Sequence, residues 1–144
     1  MLVFDTNIWV AALLSRDGAS FQLLVNATEG KLRYALSVAL ALEYEDVLKR
    51  EAIRNLSWAS ESQLTKVLDL LMAQAVTVMP IRTKLRPTLK DANDDMVLEC
   101  AVQSGAEMIV TMNAKDFYPA TAIYRIAVET PGECLNRLKS GNIL

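Results

Sequence analysis

Histidine is absent from this 144-residue chain, and cysteine occurs only twice. Without imidazole, no catalytic scheme can use a histidine base, and zinc, copper and haem sites are disfavoured. Cys100 and Cys134 are too few and too far apart in sequence for a disulfide framework, and both fall in predicted helices, so we expect reduced thiols. Chemistry in this chain must therefore rest on carboxylates, amides, hydroxyls and any bound ion.

Long apolar runs are absent as well. A membrane helix needs about 18 uninterrupted apolar residues, and no stretch of the sequence is that long. No basic segment leads into an apolar stretch with a small-residue cleavage site. We therefore expect a soluble cytoplasmic protein that has no membrane partner.

Proline and glycine are scarce, with 4 and 5 residues, whereas hydrophobic residues make up 52% of the chain and charged residues 22%. This composition is typical of one compact domain, here residues 1 to 144, with Trp9, Tyr44 and Phe117 in its core. The formal net charge of -2 excludes an overall basic character. Binding of nucleic acid would have to use local basic patches or metal bridges.

Asp5 ends the first apolar run of the chain and is followed by Thr6, Asn7 and a second apolar stretch at residues 8 to 14. This order predicts a short buried strand that ends at a carboxylate, and then a helix whose first residues are good caps. Open α/β sheets place their binding sites at the carboxyl ends of the strands. Asp5 is therefore either a helix cap or the first acid of a functional site.

Strand and helix patterns alternate along the rest of the chain. Further strands are predicted at residues 32 to 36, 75 to 79, 108 to 111 and 124 to 128. Helices are predicted from about residue 19 to 28 and at residues 37 to 50, 60 to 74, 91 to 104 and 131 to 139. The alternation favours an α/β fold with a parallel sheet covered on both faces, because each right-handed crossover carries a helix onto one side. The segment 112 to 116 would emerge at the same edge of the sheet as Asp5.

Helical phase separates buried from solvated acids in the two middle helices, at about 100° per residue. In the first of them, Glu43 lies at the border of the inner face, whereas Glu45 and Asp46 point toward solvent. In the second, Asp94 projects onto the inner face, Asp95 lies to the side and Glu99 lies further outward. An ionised Asp94 in that position would need hydrogen bonds or a cation.

Each of these acids also has a simple structural interpretation. Asp5 fits a helix cap, and Asp91 with Asp94 fits a variant of the capping box. Glu43 alone fits a solvated helix acid, and Asp116 a loop acid. Taken together, these structural interpretations are less plausible, because they require the acids to approach one sheet edge by coincidence.

The ordered set of motifs resembles the PIN-domain nucleases, and most closely the bacterial and archaeal branch that contains the VapC-type toxins of toxin-antitoxin pairs. The resemblance spans residue 1 to about 135. It is carried by residues 5 to 7, 42 to 48, 91 to 94 and 110 to 117. It implies a three-layer α/β/α sandwich with a central, mainly parallel sheet, and an endoribonuclease that depends on Mg²⁺ or Mn²⁺ and cleaves phosphodiester bonds with metal-activated water.

The family's site residues transfer to matching positions of this sequence. The catalytic and metal-binding acids implied by the resemblance are Asp5, Glu43, Asp94 and Asp116. The supporting residues would be Thr6, Asn7, Asp91, Thr111 and Asn113. Many relatives carry the fourth acid directly after the last core strand, where this chain has Asn113, so Asn113 and Asp116 compete for that place. Oxygen ligands without histidine suit a hard divalent ion that keeps several waters.

The partners implied are an RNA substrate, a small antitoxin protein and a second copy of the chain in a homodimer. A basic run without any acid supplies candidates for contact with the RNA backbone: Arg82, Lys84, Arg86 and Lys90. That run also fits a plain solvated loop. Two other functions stay open: a PIN-like binding module that has lost catalysis, and a receiver-like phosphoacceptor, which is disfavoured because the strand ending near Met79 offers no aspartate.

Overall fold

The computed structural model describes residues 1–78, 92–118 and 120–141. Several residues that the sequence singles out lie outside the described residues, namely Arg82, Lys84, Arg86, Lys90 and Asp91.

Short parallel strands form the centre of the described structure. They are β1 (Leu2–Phe4), β2 (Ala35–Ser37), β3 (Val76–Val78), β4 (Met108–Val110) and β5 (Ala127–Glu129). Hydrogen bonds give the orders β1-β4-β5 and β2-β3, and each pair is parallel. Leu2 joins the two groups through a parallel bridge to Tyr34 and a 2.9 Å hydrogen bond from its N–H to the carbonyl of Arg33. The spatial order of the strands is therefore β3-β2-β1-β4-β5.

This strand order creates a switch point between β1 and β4. Strands β2 and β3 follow one another on one side of β1, whereas β4 and β5 lie on its other side. In open α/β sheets, ligands bind outside the carboxyl ends of the strands at such a point. Phe4 lies opposite Val110 in the sheet, so Asp5 and Thr111 emerge there side by side.

Helices cover both faces of the sheet, and the fold is the three-layer α/β/α sandwich that the sequence predicts. They are α1 (Thr6–Leu14), α2 (Ala19–Thr28), α3 (Val38–Leu48), α4 (Glu51–Leu56), α5 (Glu61–Gln74), α6 (Ala92–Ser104), α7 (Ala120–Tyr124) and α8 (Pro131–Lys139), with a 3₁₀ helix at Ala114–Phe117. Helix α6 packs against β1, β2, β3 and β4 and against α3. This packing brings the first turns of α3 and α6 into the same region as the end of β1.

The region after β4 differs from its prediction. A strand predicted at residues 124 to 128 is replaced by the end of α7 and a strand that begins at Ala127. Arg125 has a positive φ of 56°, and the N–H of Ile126 donates to the carbonyl of Thr121 at 2.9 Å, so the apolar residues at this point close a helix before β5 starts. The short helix α4 was not predicted either, because none of its residues is buried and it carries no apolar period.

Aromatic side chains fill the core below the switch point. Trp9, Tyr44 and Phe117 are buried, as expected, and the ring of Trp9 lies 4.6 Å from that of Phe4. Cys100 and Cys134 are buried free thiols in α6 and α8, which confirms the prediction of reduced cysteines. Burial raises the pKa of Cys100 to about 11, so this thiol is protonated and unreactive at neutral pH.

In the described part of the chain, no single helix is long and apolar enough to cross a membrane. Helices α1 and α2 reach the length and apolar composition of a membrane span only when they are taken together, and their axes differ by 107°.

Candidate active site

Asp5 lies at the switch point and is turned toward β4. Its backbone N–H donates to the carbonyl of Val110 at 2.9 Å, which extends the β1-β4 ladder by one residue. Its side-chain Oδ2 accepts a 2.7 Å hydrogen bond from Oγ1 of Thr111. The residue is only 9% exposed. The carboxylate is thus held by the first residue after β4 and faces the sheet edge.

Asp5 has the position and backbone conformation of a helix cap, and the amides of Thr6 and Asn7 at the helix start also act on its carboxylate. It occupies the N-cap position of α1, with φ -65° and ψ 147°. Its side chain, however, makes no capping hydrogen bond to the helix. The contact with Thr111 is therefore the main hydrogen bond of this carboxylate, and it crosses between two elements that are far apart in sequence.

Burial raises the pKa of Asp5 above the ordinary value of 3.8. The Thr111 hydroxyl and the nearby backbone amides of Thr6 and Asn7 act in the opposite direction, and the negative charge of Asp116 adds to the rise. A carboxylate buried in this way is costly to ionise unless a cation lies beside it. The Asp5 site therefore favours either a bound proton or a bound cation.

Thr111 and Asn7 tie the segment after β4 to the start of α1. Besides donating to Asp5, Oγ1 of Thr111 accepts a 3.1 Å hydrogen bond from the N–H of Asn113. Oδ1 of Asn7 accepts a 3.3 Å hydrogen bond from the N–H of Met112. These contacts bring Asn7, Thr111 and Asn113 together beside Asp5, and their role as supports of a site stays a prediction.

Asp116 reaches the same edge on the 3₁₀ helix. Its backbone N–H donates to the carbonyl of Asn113 at 3.0 Å, and the next residue, Phe117, is buried and anchors the turn in the core. Asp116 is exposed, and its negative charge makes a small addition to the rise in the pKa of Asp5 that burial causes. Of the two candidates for the fourth acidic place, Asp116 is the one that carries a charge, and Asn113 is the one whose N–H is bound by Thr111.

Glu43 is delivered by α3, which starts directly after β2. The side chain of Ser37 caps this helix by accepting a 3.1 Å hydrogen bond from the N–H of Leu40, as the sequence predicts. Tyr44, next to Glu43, is buried and donates its hydroxyl hydrogen to the carbonyl of Phe4, the residue before Asp5. Glu43 is half-buried, in agreement with its predicted border position. The tyrosine thus fixes the helix that carries Glu43 to the strand that carries Asp5.

The other acids of α3 are surface charges, as expected. Glu45 and Asp46 form ion pairs one turn along the helix with Lys49 and Arg50, each at 2.9 Å.

The structure of α6 differs from the prediction, made from helical phase, of which of its acids are buried. Asp94 is half-buried in its first turn, but Asp95 and Glu99, predicted to lie to the side and outward, are only 1% and 2% exposed. The prediction was wrong because it assumed one buried face, whereas α6 packs against four strands and also against α3. Sequence reasoning therefore missed two buried acids. Asp95 directly precedes the apolar run from Met96 to Val102, and Glu99, one turn further on, is the one acid inside it; this spacing was the signal that would have found them.

The donor chemistry fits a hard divalent ion, although the described side chains do not enclose one. Among the described residues, no group of three or more His, Cys, Asp or Glu side chains is placed to hold a metal ion. Asp91 lies outside that set. Mg²⁺ is commonly held by one or two carboxylates and keeps several waters. Asp5, a buried carboxylate oriented by Thr111 at the switch point, is the described residue that could supply such an oxygen ligand.

Comparison with known protein families identifies the fold. A model of the PIN domain matches residues 1–115, which is most of the chain and includes Asp5, Glu43 and Asp94. No curated protein matches the sequence.

Proposed function

This chain belongs to the PIN domain family, and we propose that it is a divalent-metal-dependent endoribonuclease. PIN domains are generally nucleases, so membership of the family supports hydrolysis of phosphodiester bonds. The observation that carries the proposal within the structure is Asp5. This carboxylate is buried at the switch point, is oriented by Thr111 and lies within electrostatic range of Asp116.

The residues that would hold Mg²⁺ or Mn²⁺ are Asp5, Glu43, Asp94 and Asp116. When bound, such an ion lowers the pKa of water and stabilises negative charge on phosphoryl oxygens. The protein itself holds the carboxylates in place: Thr111 orients Asp5, and Tyr44 fixes α3 beside the end of β1. The acids would bind RNA only with a cation present, since without one they repel a polyanion.

The biological setting that we propose follows the resemblance to the VapC-type branch. The protein would act in the cytoplasm as the toxin of a toxin-antitoxin pair, inhibited by a small antitoxin and assembled as a homodimer. The segment 60 to 79, in which Leu70 and Val76 are exposed, would contribute to self-association. Sedimentation measurements test the dimer, and co-expression with the product of an adjacent small gene tests the antitoxin.

Cleavage of RNA by purified variants tests the proposed activity. The double substitution Asp5→Asn and Asp94→Asn should abolish cleavage of a mixed RNA substrate in Mg²⁺ or Mn²⁺, while the circular dichroism spectrum stays native. Glu43→Gln should lower the rate by a factor of about 100 or more, as expected for loss of a metal ligand or its support.

Glu45→Gln is the matched control for Glu43→Gln. Glu45 lies on the same helix but forms a surface ion pair with Lys49, so its loss should leave cleavage unchanged. Full activity in the Asp5→Asn and Asp94→Asn protein would refute the assignment. A folded wild-type protein that cleaves no RNA and binds neither ion would instead identify a binding module that has lost catalysis.

A further inference from the structure

The peptide group between Phe4 and Asp5 is held from both sides. Its N–H, which belongs to Asp5, donates to the carbonyl of Val110 at 2.9 Å. In a planar trans peptide the C=O points away from the N–H, so the Phe4 carbonyl faces the other side of β1, toward β2. There it accepts the hydroxyl hydrogen of Tyr44. The orientation of this peptide plane determines the direction in which the Asp5 side chain leaves the strand.

Strand β2 does not pair with β1 at this level of the sheet. The two strands share one isolated bridge, between Leu2 and Tyr34, two residues before Phe4. The backbone N–H of Ser37, the last residue of β2, is a hydrogen-bond partner of the Cys100 thiol instead. A buried carbonyl needs a donor, and here a side-chain hydroxyl from α3 takes the place that a neighbouring strand fills elsewhere.

The hydroxyl of Tyr44 is itself oriented by its surroundings. The side chain is only 1% exposed, and its ring meets that of Trp9 edge to face, with the centroids 6.4 Å apart. Burial raises the pKa of Tyr44 well above its ordinary value, and Trp9, acting as a hydrogen-bonding group, opposes that rise. Nε1 of Trp9 is buried and makes no full hydrogen bond to any described residue. Because the indole N–H acts on the oxygen of Tyr44, the hydroxyl hydrogen is left for the Phe4 carbonyl.

We propose that Tyr44 is a positioning residue for the cation site: its hydroxyl fixes the Phe4–Asp5 peptide plane, aims the Asp5 carboxylate and ties it to the helix that carries Glu43. The inference rests on the proposed metal-dependent function. Tyr44 is buried, so it acts through the backbone of β1 and not by contact with ion or substrate. Loss of the hydroxyl removes one of the two restraints on the plane, and the cation should then be bound less tightly.

Tyr34 provides a matched control in the same core. It is fully buried, its ring lies 5.7 Å from that of Phe4, and its hydroxyl donates to the carbonyl of Leu71 at 2.5 Å. Leu71 belongs to α5, which carries none of the proposed ligands. Phenylalanine in place of either tyrosine removes one buried hydroxyl and leaves one buried carbonyl without its donor, so both variants should lose stability alike. The cation site should respond to Tyr44→Phe alone.

Titration with Mn²⁺, followed by electron paramagnetic resonance of the free ion, compares the two variants. Tyr44→Phe should raise the Kd about 10-fold, the size typical for loss of a contact that orients a metal ligand, and Tyr34→Phe should bind as wild type does. Cleavage by Tyr44→Phe should be reduced at limiting Mn²⁺ and should recover as the ion concentration is raised. The same Kd in both variants, whether weakened or not, would overturn the positioning role, because the hydroxyl would then serve stability alone.

Amide hydrogen exchange without any divalent ion tests the restraint on the peptide plane separately. In Tyr44→Phe the Asp5 amide should exchange at least about 10-fold faster than the loss of global stability explains, and in Tyr34→Phe it should follow the global loss only. If the wild-type protein binds no Mn²⁺, the proposed function fails, and this measurement still decides whether Tyr44 holds Asp5. Exchange of the Asp5 amide that follows global stability in both variants would overturn the inference.

Discussion

Asp5 combines two properties that oppose each other in the protein without a cation. Its carboxylate is ordered by Thr111 at 2.7 Å, yet burial raises its pKa. The fold therefore favours the protonated group, and this stabilisation is complete below the unfolded pKa and is lost as the pH rises through the folded pKa. At neutral pH the ionised Asp5 is a cost to stability, as expected where a site is built for a cation rather than for the fold.

Replacement of Asp5 by Asn should therefore stabilise the protein in the absence of divalent ions. At pH 7 the melting temperature of Asp5→Asn should exceed that of wild type by a few degrees, because Asn retains an acceptor for the Thr111 hydroxyl and carries no charge. The gain should shrink as the pH falls toward the ordinary Asp pKa of 3.8. Thermal melts in a chelator across this pH range measure it, with exposed Asp69→Asn as the control. A loss of stability at pH 7 would contradict the buried-charge explanation.

Thr111 should control both the orientation and the protonation of Asp5. Thr111→Val removes a hydroxyl that donates to Asp5 and accepts from the N–H of Asn113, which should lower cleavage by a factor of about 10 to 100. Because that hydroxyl lowers the pKa of Asp5, the acid limb of the kcat/KM profile should move to higher pH. Thr111→Ser should restore both quantities. An unchanged acid limb in Thr111→Val would show that Asp5 titration does not govern the rate.

At the scale of elements, local chemistry predicts helix starts well. Helices α5 and α8 each begin with a full capping box, from Ser60 with Gln63 and from Thr130 with Glu133. The sequence alone placed both helices correctly, since such signals are local and need no tertiary context. Helix α4 has neither a side-chain cap nor a buried residue, so nothing local identified it.

The end of α7 provides a test of backbone conformation. Arg125 holds a positive φ of 56°, a conformation that costs a non-glycine residue about 1 kcal/mol or more. Arg125→Gly should therefore raise the free energy of unfolding by roughly 0.5 to 1 kcal/mol, measured by urea denaturation. Gly105→Ala is the converse control: Gly105 has φ +70° with open space around it, so its loss should destabilise by a similar amount through conformation alone. Destabilisation by Arg125→Gly would mean that the Arg125 side chain contributes more to the free energy of unfolding than its strained backbone conformation costs.

At the scale of the whole molecule, topology determines which distant residues meet. Asp5 and Thr111 are adjacent only because β4 inserts beside β1 on the side away from β2. The sequence indicated the parallel sheet and its carboxyl edge, and the family resemblance indicated the acids. Neither of them indicated that the Thr111 hydroxyl would bind Asp5 or that the Tyr44 hydroxyl would bind the carbonyl of Phe4. These contacts depend on strand order and on tertiary packing.

The same reasoning explains the error on α6. Phase along one helix predicts the centre of a buried face but not its width, which depends on how many neighbours the helix has. Contacts with four strands and with α3 bury Asp95 and Glu99 as well as the apolar residues.

Binding of Mn²⁺, followed by electron paramagnetic resonance of the free ion, tests the central claim most directly. A divalent-ion site at the switch point predicts that wild type binds Mn²⁺ and gains stability from it, by about 2.7 kcal/mol at an ion concentration 100 times the Kd. The Asp5→Asn and Asp94→Asn protein should lose at least about tenfold in affinity, and Glu45→Gln should bind as wild type does. The absence of Mn²⁺ binding to the wild-type protein at millimolar ion would contradict the claim.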